Sequence, residues 1–463
     1  MTRRLVFLAV LAALILSACG TSTPSPAEST PEAAKPKEKA TSTPRPIIPA
    51  VPKSQLMPEG KMAPGAMAVA VSLWGHPDTT ERDLQMAKSA GFTWVKQRFE
   101  WRYIQPSKRN KYTWDEADRI VNAVAKAGLG LVVRVDNQPE WTRGDGIFPQ
   151  SGPPNDLEDW KDFLEELSAR YKGRIHAYEL WNEPNLAREW GGNKPDPKAY
   201  VQMLKIGYTA IKKTDPDALI ISAGLSPTTE SSAKAEPDVQ FLKDMYAAGA
   251  KGTFDALGAH AAGFKAEPEA DPATVAQNPA LTNNDPSSPD LKRVYAFRHL
   301  EDLRKVMVDN GDGAKQVAVT EMGWTSDPRP GSPYTWHSVT EDQKGAYLVR
   351  AFQYARANWS SWIGLMTAIY IADPAWTAKD EQYYWALTNP DGTPRPGYDA
   401  LKKLGTGQLP ATAAAPTAAA SAATSAPSAT SAPAATSAAT SAATSAATVA
   451  PTVAPTTAAT TTP

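Results

Sequence analysis

Two short stretches hold the residues best suited to chemistry. In Tyr178-Glu179-Leu180-Trp181-Asn182-Glu183-Pro184-Asn185 an apolar run stops at Pro184, which leaves the Glu183 carboxyl at its tip. In Val317-Ala318-Val319-Thr320-Glu321-Met322-Gly323-Trp324 a second apolar run ends in a second glutamate. Hydrolysis of an acetal needs one carboxylic acid to protonate the leaving oxygen and one carboxylate to attack or stabilise the anomeric carbon, about 5 to 5.5 Å apart when configuration is retained. Taken singly, either glutamate could as readily pair with an arginine or cap a helix. The two together, with Asn182 directly before one and Gly323-Trp324 shortly after the other, are much harder to explain by packing.

A pair of this kind needs a scaffold that aims both carboxyls at one face. Short, apolar, β-branched runs predict eight strands, at 68–73, 94–99, 129–135, 177–181, 219–223, 256–259, 317–320 and 366–371. Helical periodicity lies between them, as at Ile120, Val124 and Ala127, with Gly91 and Gly128 placed as helix C-caps. Further helices are predicted at 159–171, 200–213, 239–248, 294–310 and 342–358. Strands alternating with helices imply a parallel sheet, and eight such units favour a closed (β/α)8 TIM barrel over a doubly wound open sheet. In such a barrel the strand ends carrying Glu183 and Glu321 open on one mouth. Asp136 and Asn137, ending the third strand, could hydrogen-bond sugar hydroxyls at its rim. Trp74, Trp101, Trp141, Trp190 and Trp324 fall at or beyond strand ends, where they could extend a stacking platform, although core packing is the default for each.

Asn182-Glu183-Pro184 on the fourth strand, with Glu321 ending the seventh, resembles glycoside hydrolase clan A, and in particular families 5 and 39, the cellulase and β-xylosidase-like families. The resemblance covers most of residues 66–404. It implies that Glu183 is the acid/base, that Glu321 is the nucleophile, and that Asn182 hydrogen-bonds the sugar 2-hydroxyl. It further implies that Arg98, near the end of strand two, sits beside the nucleophile and keeps it ionised, that His260 at the end of strand six lines the cleft, and that Trp376 after strand eight lies under the sugar. One departure stands out. Many relatives carry a tyrosine two residues after that histidine, close to the nucleophile, and this chain has Ala262; Tyr334 and Trp336, after strand seven, are the candidates to replace it. Residues 264–292 form a long insertion that would shape the cleft, and the segment around Trp385, Asp391-Gly392 and Tyr398 resembles the closing turn and last helix of clan barrels.

The ends of the chain differ from its middle. Arg3 and Arg4 followed by the apolar run 5–16 read as a signal peptide over residues 1–18, too short for a spanning helix, which needs about 20 residues. Leu16-Ser17-Ala18-Cys19-Gly20 resembles a bacterial lipobox, which implies that Cys19 is acylated and anchors the protein to a membrane. Cys19 is the only cysteine, so no disulfide forms within the chain. Residues 19–65 read as a disordered, lipid-anchored linker, residues 66–405 as a single catalytic domain holding all 14 tryptophans, and residues 406–463 as a disordered Ala/Thr/Ser/Pro-rich tail.

A net charge of −1 with no basic stripe argues against nucleic acid as a partner. No metal and no cofactor is implied, and a monomer is expected. The expectation is an exported, membrane-anchored lipoprotein facing outside the cytoplasm. It would be a retaining hydrolase of O-glycosidic bonds in an extracellular or envelope β-linked polysaccharide or its oligosaccharides. Two other classes compete: a barrel that binds carbohydrate with little turnover, and the solute-binding lipoprotein of a transporter, which would be two-lobed.

Overall fold

The computed structural model describes residues 47–107 and 109–412. The predicted signal peptide, Cys19, the first part of the linker and nearly all of the tail lie outside the described residues. Eight parallel strands close into one barrel in sequence order: β1 (Ala66–Val71), β2 (Trp94–Glu100), β3 (Gly130–Asp136), β4 (Ala177–Leu180), β5 (Leu219–Ser222), β6 (Ala256–Ala262), β7 (Gln316–Gly323) and β8 (Ile363–Ala368), with β8 pairing back onto β1. The predicted (β/α)8 barrel is therefore the fold. The two-lobed architecture that a solute-binding protein would need is absent among the described residues.

Each strand is followed by a main helix: α1 (Pro77–Ser89), α2 (Asp115–Ala127), α3 (Leu157–Arg170), α4 (Pro197–Thr214), α5 (Asp238–Ala247), α6 (Leu300–Asp309), α7 (Glu341–Asn358) and α8 (Pro396–Gly405). Helix α2 shows how the sequence sets these elements. Asp115, Glu116 and Asp118 in its first turn complement the helix dipole, Ile120, Val121 and Val124 bury one face, and Gly128 ends it in the left-handed region at φ 72°. Gly91, just past α1, has φ 80°, and a Cβ there would stand 2.5 Å from the Gly405 backbone, so two glycines let the ends of the first and last helices touch. Among the described residues no helix is long and apolar enough to cross a membrane.

Two expectations need correction. The predicted linker 19–65 extends too far, because Leu56, Met57 and Met62 are buried against Ala66, Trp94, Val132, Ala177 and Leu365 at the N-terminal ends of the strands. Gln316 exchanges two 2.9 Å hydrogen bonds with the Met62 backbone and fixes this plug. Three apolar side chains spread through a Pro- and Lys-rich stretch leave no periodic signal. Strand eight starts at Ile363, three residues before the predicted 366; Gly364 interrupts the apolar run, and it is glycine because a Cβ there would lie 2.6 Å from Met62 Cε. The insertion 264–292 carries Pro272–Ala276 and Pro289–Lys292 and, with the residues that follow, a small core of Ala266, Val275, Val294, Tyr295 and Ala296.

One buried ion pair joins helices on the outer ring. His299, 5% exposed, places Nε2 2.8 Å from Asp238 Oδ2 at the start of α5 and Nδ1 3.1 Å from Asp302 Oδ2 in the first turn of α6. Burial by itself lowers the His299 pKa, but the Asp238 and Asp302 carboxylates outweigh it and raise it from 6.5 to about 9. Because the folded-state value is raised, this contribution to stability is complete below the unfolded value of 6.5 and is lost as pH rises through about 9. Thermal unfolding should show wild type ahead of His299→Gln by a margin that shrinks from about pH 6 to about pH 10; a margin independent of pH would contradict the assignment.

Candidate active site

Glu183 stands on a strained turn. After β4 the backbone takes left-handed values at Trp181 (φ 82°) and Glu183 (φ 39°), conformations that non-glycine residues rarely hold unless their surroundings impose them. The Trp181 indole is fully buried and donates to the Glu189 carbonyl at 2.9 Å, while the Glu183 amide donates to the Gly224 carbonyl at 3.0 Å. Asn185, fully buried, bonds the Ser226 and Glu236 carbonyls at 2.9 Å each and ties the β4 loop to the β5 loop. A Cβ at Gly224 would fall 2.2 Å from the His260 ring, so glycine there is what admits the imidazole to the site.

His260, on β6, locates both glutamates. Its Nδ1 is 3.0 Å from Glu183 Oε1 and 4.0 Å from Glu321 Oε2, so these two carboxylate oxygens are no more than 7.0 Å apart. The side chains of Glu183 and Glu321 are 13% and 20% exposed, at the C-terminal ends of β4 and β7 as the barrel reading requires.

The charges around the pair come from inside the barrel. Lys96 on β2 is 4% exposed, with Nζ 2.8 Å from Glu179 Oε2 and 3.3 Å from Glu321 Oε1. Arg134 on β3 donates from Nη1 to Glu321 Oε1 at 2.7 Å and to Asn182 Oδ1 at 2.9 Å, and its Nε lies 2.9 Å from Asp136. Burial raises the Glu321 pKa, yet His260, Lys96 and Arg134 outweigh burial and the repulsion of Glu183, and hold it below the usual carboxylate range. Burial likewise raises Glu183, and the Arg188 guanidinium and His260 hold it well below that range. His260 is lowered by burial but lifted to about 9 by Glu321, Glu179 and Glu183, so it carries a proton at neutral pH.

Other predicted site residues fall elsewhere. Arg98 is not the cation beside Glu321: it binds Asp136 at 2.8 Å and Glu100 at 3.2 Å, and Arg134, paired with it in register on the next strand, occupies that place. The missed signal was a charged residue inside an apolar strand, Lys96 and Arg134 alike, which in a barrel interior demands a partner. Asn137 donates to Glu100 Oε2 at 2.8 Å, and Asp136 is fully buried between the two arginines, so both position charges within the wall. Trp324 points away from the mouth. It is fully buried, donates to the Ala266 carbonyl at 3.0 Å and packs on Phe297 and Tyr347. Trp101, Trp181 and Trp190 are buried as well, whereas half-buried Trp74 stacks on Tyr103 at 6.0 Å.

Trp376 is half-buried and meets the edge of Tyr370 at 5.1 Å. Tyr370, just beyond β8, is the aromatic in the field of the pair: burial and then the charges of Glu321 and Glu381 push its hydroxyl well above the ordinary phenol range. Placing strand eight too late hid this residue inside the predicted strand. Of the two candidates to replace the tyrosine absent at Ala262, Tyr334 clusters with Ala262, Ile369 and Trp385 at the mouth, while Trp336 stacks on Phe264 in the insertion. A surface cavity of about 700 Å³ is lined by Ser326, Glu341, Tyr384 and Arg395 and by neither glutamate of the pair. Among the described residues no group of three or more His, Asp or Glu side chains is placed to hold a metal ion.

Comparison with known proteins bears on the fold and the family. Solved structures share the fold: a family 39 glycoside hydrolase from the gut symbiont Bacteroides cellulosilyticus WH2 (20% identity, TM-score 0.52, 73% of this chain and 63% of that one) and a glucosidase from Croceicoccus marinus (13% identity, TM-score 0.51, 74% and 68%). A curated relative, Endo-1,4-beta-xylanase C of Paenibacillus barcinonensis, is 24% identical over 140 residues, which are 26% of this chain and 12% of the xylanase. This chain thus spans about an eighth of that relative's length and under two thirds of the family 39 structure. The family described as Cellulase (glycosyl hydrolase family 5) matches residues 58–290, just over half of the 463 residues, a span that includes Glu183 and ends before Glu321. With half the chain matched and the barrel closed around it, the protein belongs to the cellulase family, glycosyl hydrolase family 5.

Proposed function

We propose that the protein is a retaining glycoside hydrolase that cleaves O-glycosidic bonds of a β-linked glycan, with Glu321 as nucleophile and Glu183 as acid/base. The observation that carries this reading is the meeting of two strand-end carboxyls, from β4 and β7, at one nitrogen of His260. Glu321, held ionised by His260, Lys96 and Arg134, attacks the anomeric carbon while Glu183 gives its proton to the departing oxygen; a glycosyl ester on Glu321 results. Glu183, now a carboxylate, takes a proton from water as that water attacks the anomeric carbon, and Glu321 leaves with its charge restored.

Glu183 is held ionised, because Arg188 and His260 both face it. The first step therefore begins with proton uptake at Glu183, which follows when a sugar takes the place of Arg188 against the carboxyl. Asn182, oriented by Arg134, is positioned to meet the sugar 2-hydroxyl. His260 acts as a positioning group between the two carboxyls, and the Tyr370 hydroxyl, just beyond β8, lies in the field of Glu321. The lipobox resemblance supports export and attachment to a membrane through Cys19.

A second reading, a barrel that binds glycans without turnover, is favoured by two observations. The Arg188–Glu183 ion pair occupies the group that has to donate a proton, and Ala262 offers no hydrogen bond to the nucleophile.

Glu183→Gln and Glu321→Gln should each lower kcat/KM by about a thousandfold or more while circular dichroism shows the variants still folded. Full activity in either variant on a panel of β-linked glycans and aryl glycosides would remove it from the pair. Arg134→Gln takes a cation from Glu321, so the carboxyl protonates at higher pH; the acid limb of kcat/KM should move upward, and a limb that stays in place or moves down would mean Arg134 does not hold the nucleophile's charge. Cys19→Ser should move the protein from the membrane to the soluble fraction on cell fractionation, and retention in the membrane would end the lipid-anchor proposal.

A further inference from the structure

Before Glu183, β4 carries a third carboxyl that neither step of the proposed reaction uses. Glu179 is fully buried and stands in register with Arg134 of β3. Its Oε2 lies 2.8 Å from Lys96 Nζ, while its Oε1 accepts from the Gly224 amide at 3.3 Å and lies 3.9 Å from His260 Nε2. The Gly224 carbonyl accepts in turn from the Glu183 amide, so one residue ties Glu179 to the turn that bears Glu183. Burial raises the Glu179 pKa, but Lys96, His260 and Arg134 outweigh it and hold the carboxyl well below the usual range.

The cations at Glu179 also meet the pair of glutamates at the mouth. Lys96 Nζ lies 3.3 Å from Glu321 Oε1 and donates to the Thr320 carbonyl at 3.0 Å. His260 Nδ1 lies 3.0 Å from Glu183 Oε1 and 4.0 Å from Glu321 Oε2. Arg134 has Asp136 besides Glu321, and Arg188 has Glu189 besides Glu183. Among the described residues the carboxylate partners of Lys96 are Glu179 and Glu321 alone. Ester formation takes one of them away. The charge of Glu321 passes to the departing oxygen, which takes the Glu183 proton, and Glu183 is left ionised beside His260. Lys96, 4% exposed, then has only Glu179. A buried ammonium with no counter-charge is strongly disfavoured and gives up its proton. Before the reaction the need is the opposite. A cation that binds Glu321 more tightly in the free enzyme than in the transition state slows the attack, and a second carboxylate that shares the cation loosens that hold.

We propose that Glu179 is a positioning residue that shares Lys96 and His260 with Glu321 and Glu183: it leaves Glu321 free to attack, and it keeps both cations balanced while Glu321 is held as the ester. This rests on the hydrolase reading and adds to it a group that never touches the sugar. Glu179 acts above all through Lys96, because in the ester His260 retains Glu183 and Arg134 retains Asp136.

The test uses the purified full-length protein and the dinitrophenyl glycoside that wild type cleaves fastest in a panel of sugar configurations. Stopped-flow release of dinitrophenol separates ester formation from ester hydrolysis. Glu179→Gln should slow ester formation about tenfold or more while ester hydrolysis changes less, and the acid limb of kcat/KM should move to lower pH. The sign is opposite to that of Arg134→Gln, because a negative neighbour is removed and Glu321 ionises more readily. Glu179→Asp keeps the charge but draws it back from Lys96, so it should slow ester formation about tenfold with the limb in place. This second variant carries the test if Glu179→Gln does not fold. An acid limb that stays or moves up in Glu179→Gln, or ester formation at the wild-type rate in Glu179→Asp, would overturn the role of Glu179 and leave the hydrolase standing. If wild type cleaves no glycoside in the panel, both readings fall.

Discussion

A lysine inside a closed barrel has few ways to exist. Lys96 is 4% exposed, and its ammonium is held by Glu179, fully buried, and by Glu321. Arg134 on the next strand answers Asp136 and the same glutamate. Charges withdrawn from water persist only when paired, and removing one member of a buried pair costs about 3 to 5 kcal/mol because the other is left uncompensated. Four strands, β2, β3, β4 and β7, are therefore bound to one another by charge at the level where Glu321 sits. The position of the Glu321 carboxyl and its ionisation have the same origin: the cations that fix it also keep it charged.

The second carboxyl is fixed by shape. Glu183 rides on a turn whose left-handed residues, Trp181 and Glu183, are held by a buried indole and by the Gly224 carbonyl. Gly224 also leaves the space that the His260 ring fills, and at Gly258 a Cβ would stand 2.0 Å from the Ser222 carbonyl, so β5 and β6 approach closely just where His260 has to reach across. Backbone strain at Glu183 is consistent with preorganisation, since the surrounding packing carries the cost before any substrate arrives.

The sequence revealed what local chemistry encodes. Apolar runs that end in Asn182-Glu183-Pro184 and in Glu321 marked two strand tips, and alternation of strands and helices pointed to the barrel. It concealed what depends on partners distant in sequence. Arg98 and Arg134 both lie on barrel strands, and only the register between β2 and β3 sends one to the wall and the other to Glu321. Trp324 follows the strand that carries Glu321 yet turns outward under the insertion, and Leu56, Met57 and Met62, isolated in a polar stretch, become a plug once the strand ends surround them. Tyr334 and Trp385, distant in sequence, meet only because the segments after β7 and β8 pack together.

The central claim is that Glu321 forms the covalent bond and Glu183 moves the proton. Intact-protein mass spectrometry after incubation with 2-deoxy-2-fluoro glycosides bearing good leaving groups, across several sugar configurations, addresses it directly, because a slowed second step lets the ester accumulate. The account predicts a mass gain of one fluorosugar, localised by peptide mapping to Glu321 and absent from Glu321→Gln. A label on Glu183 or on any other carboxyl, or turnover of a glycan with inversion at the anomeric carbon, would contradict it.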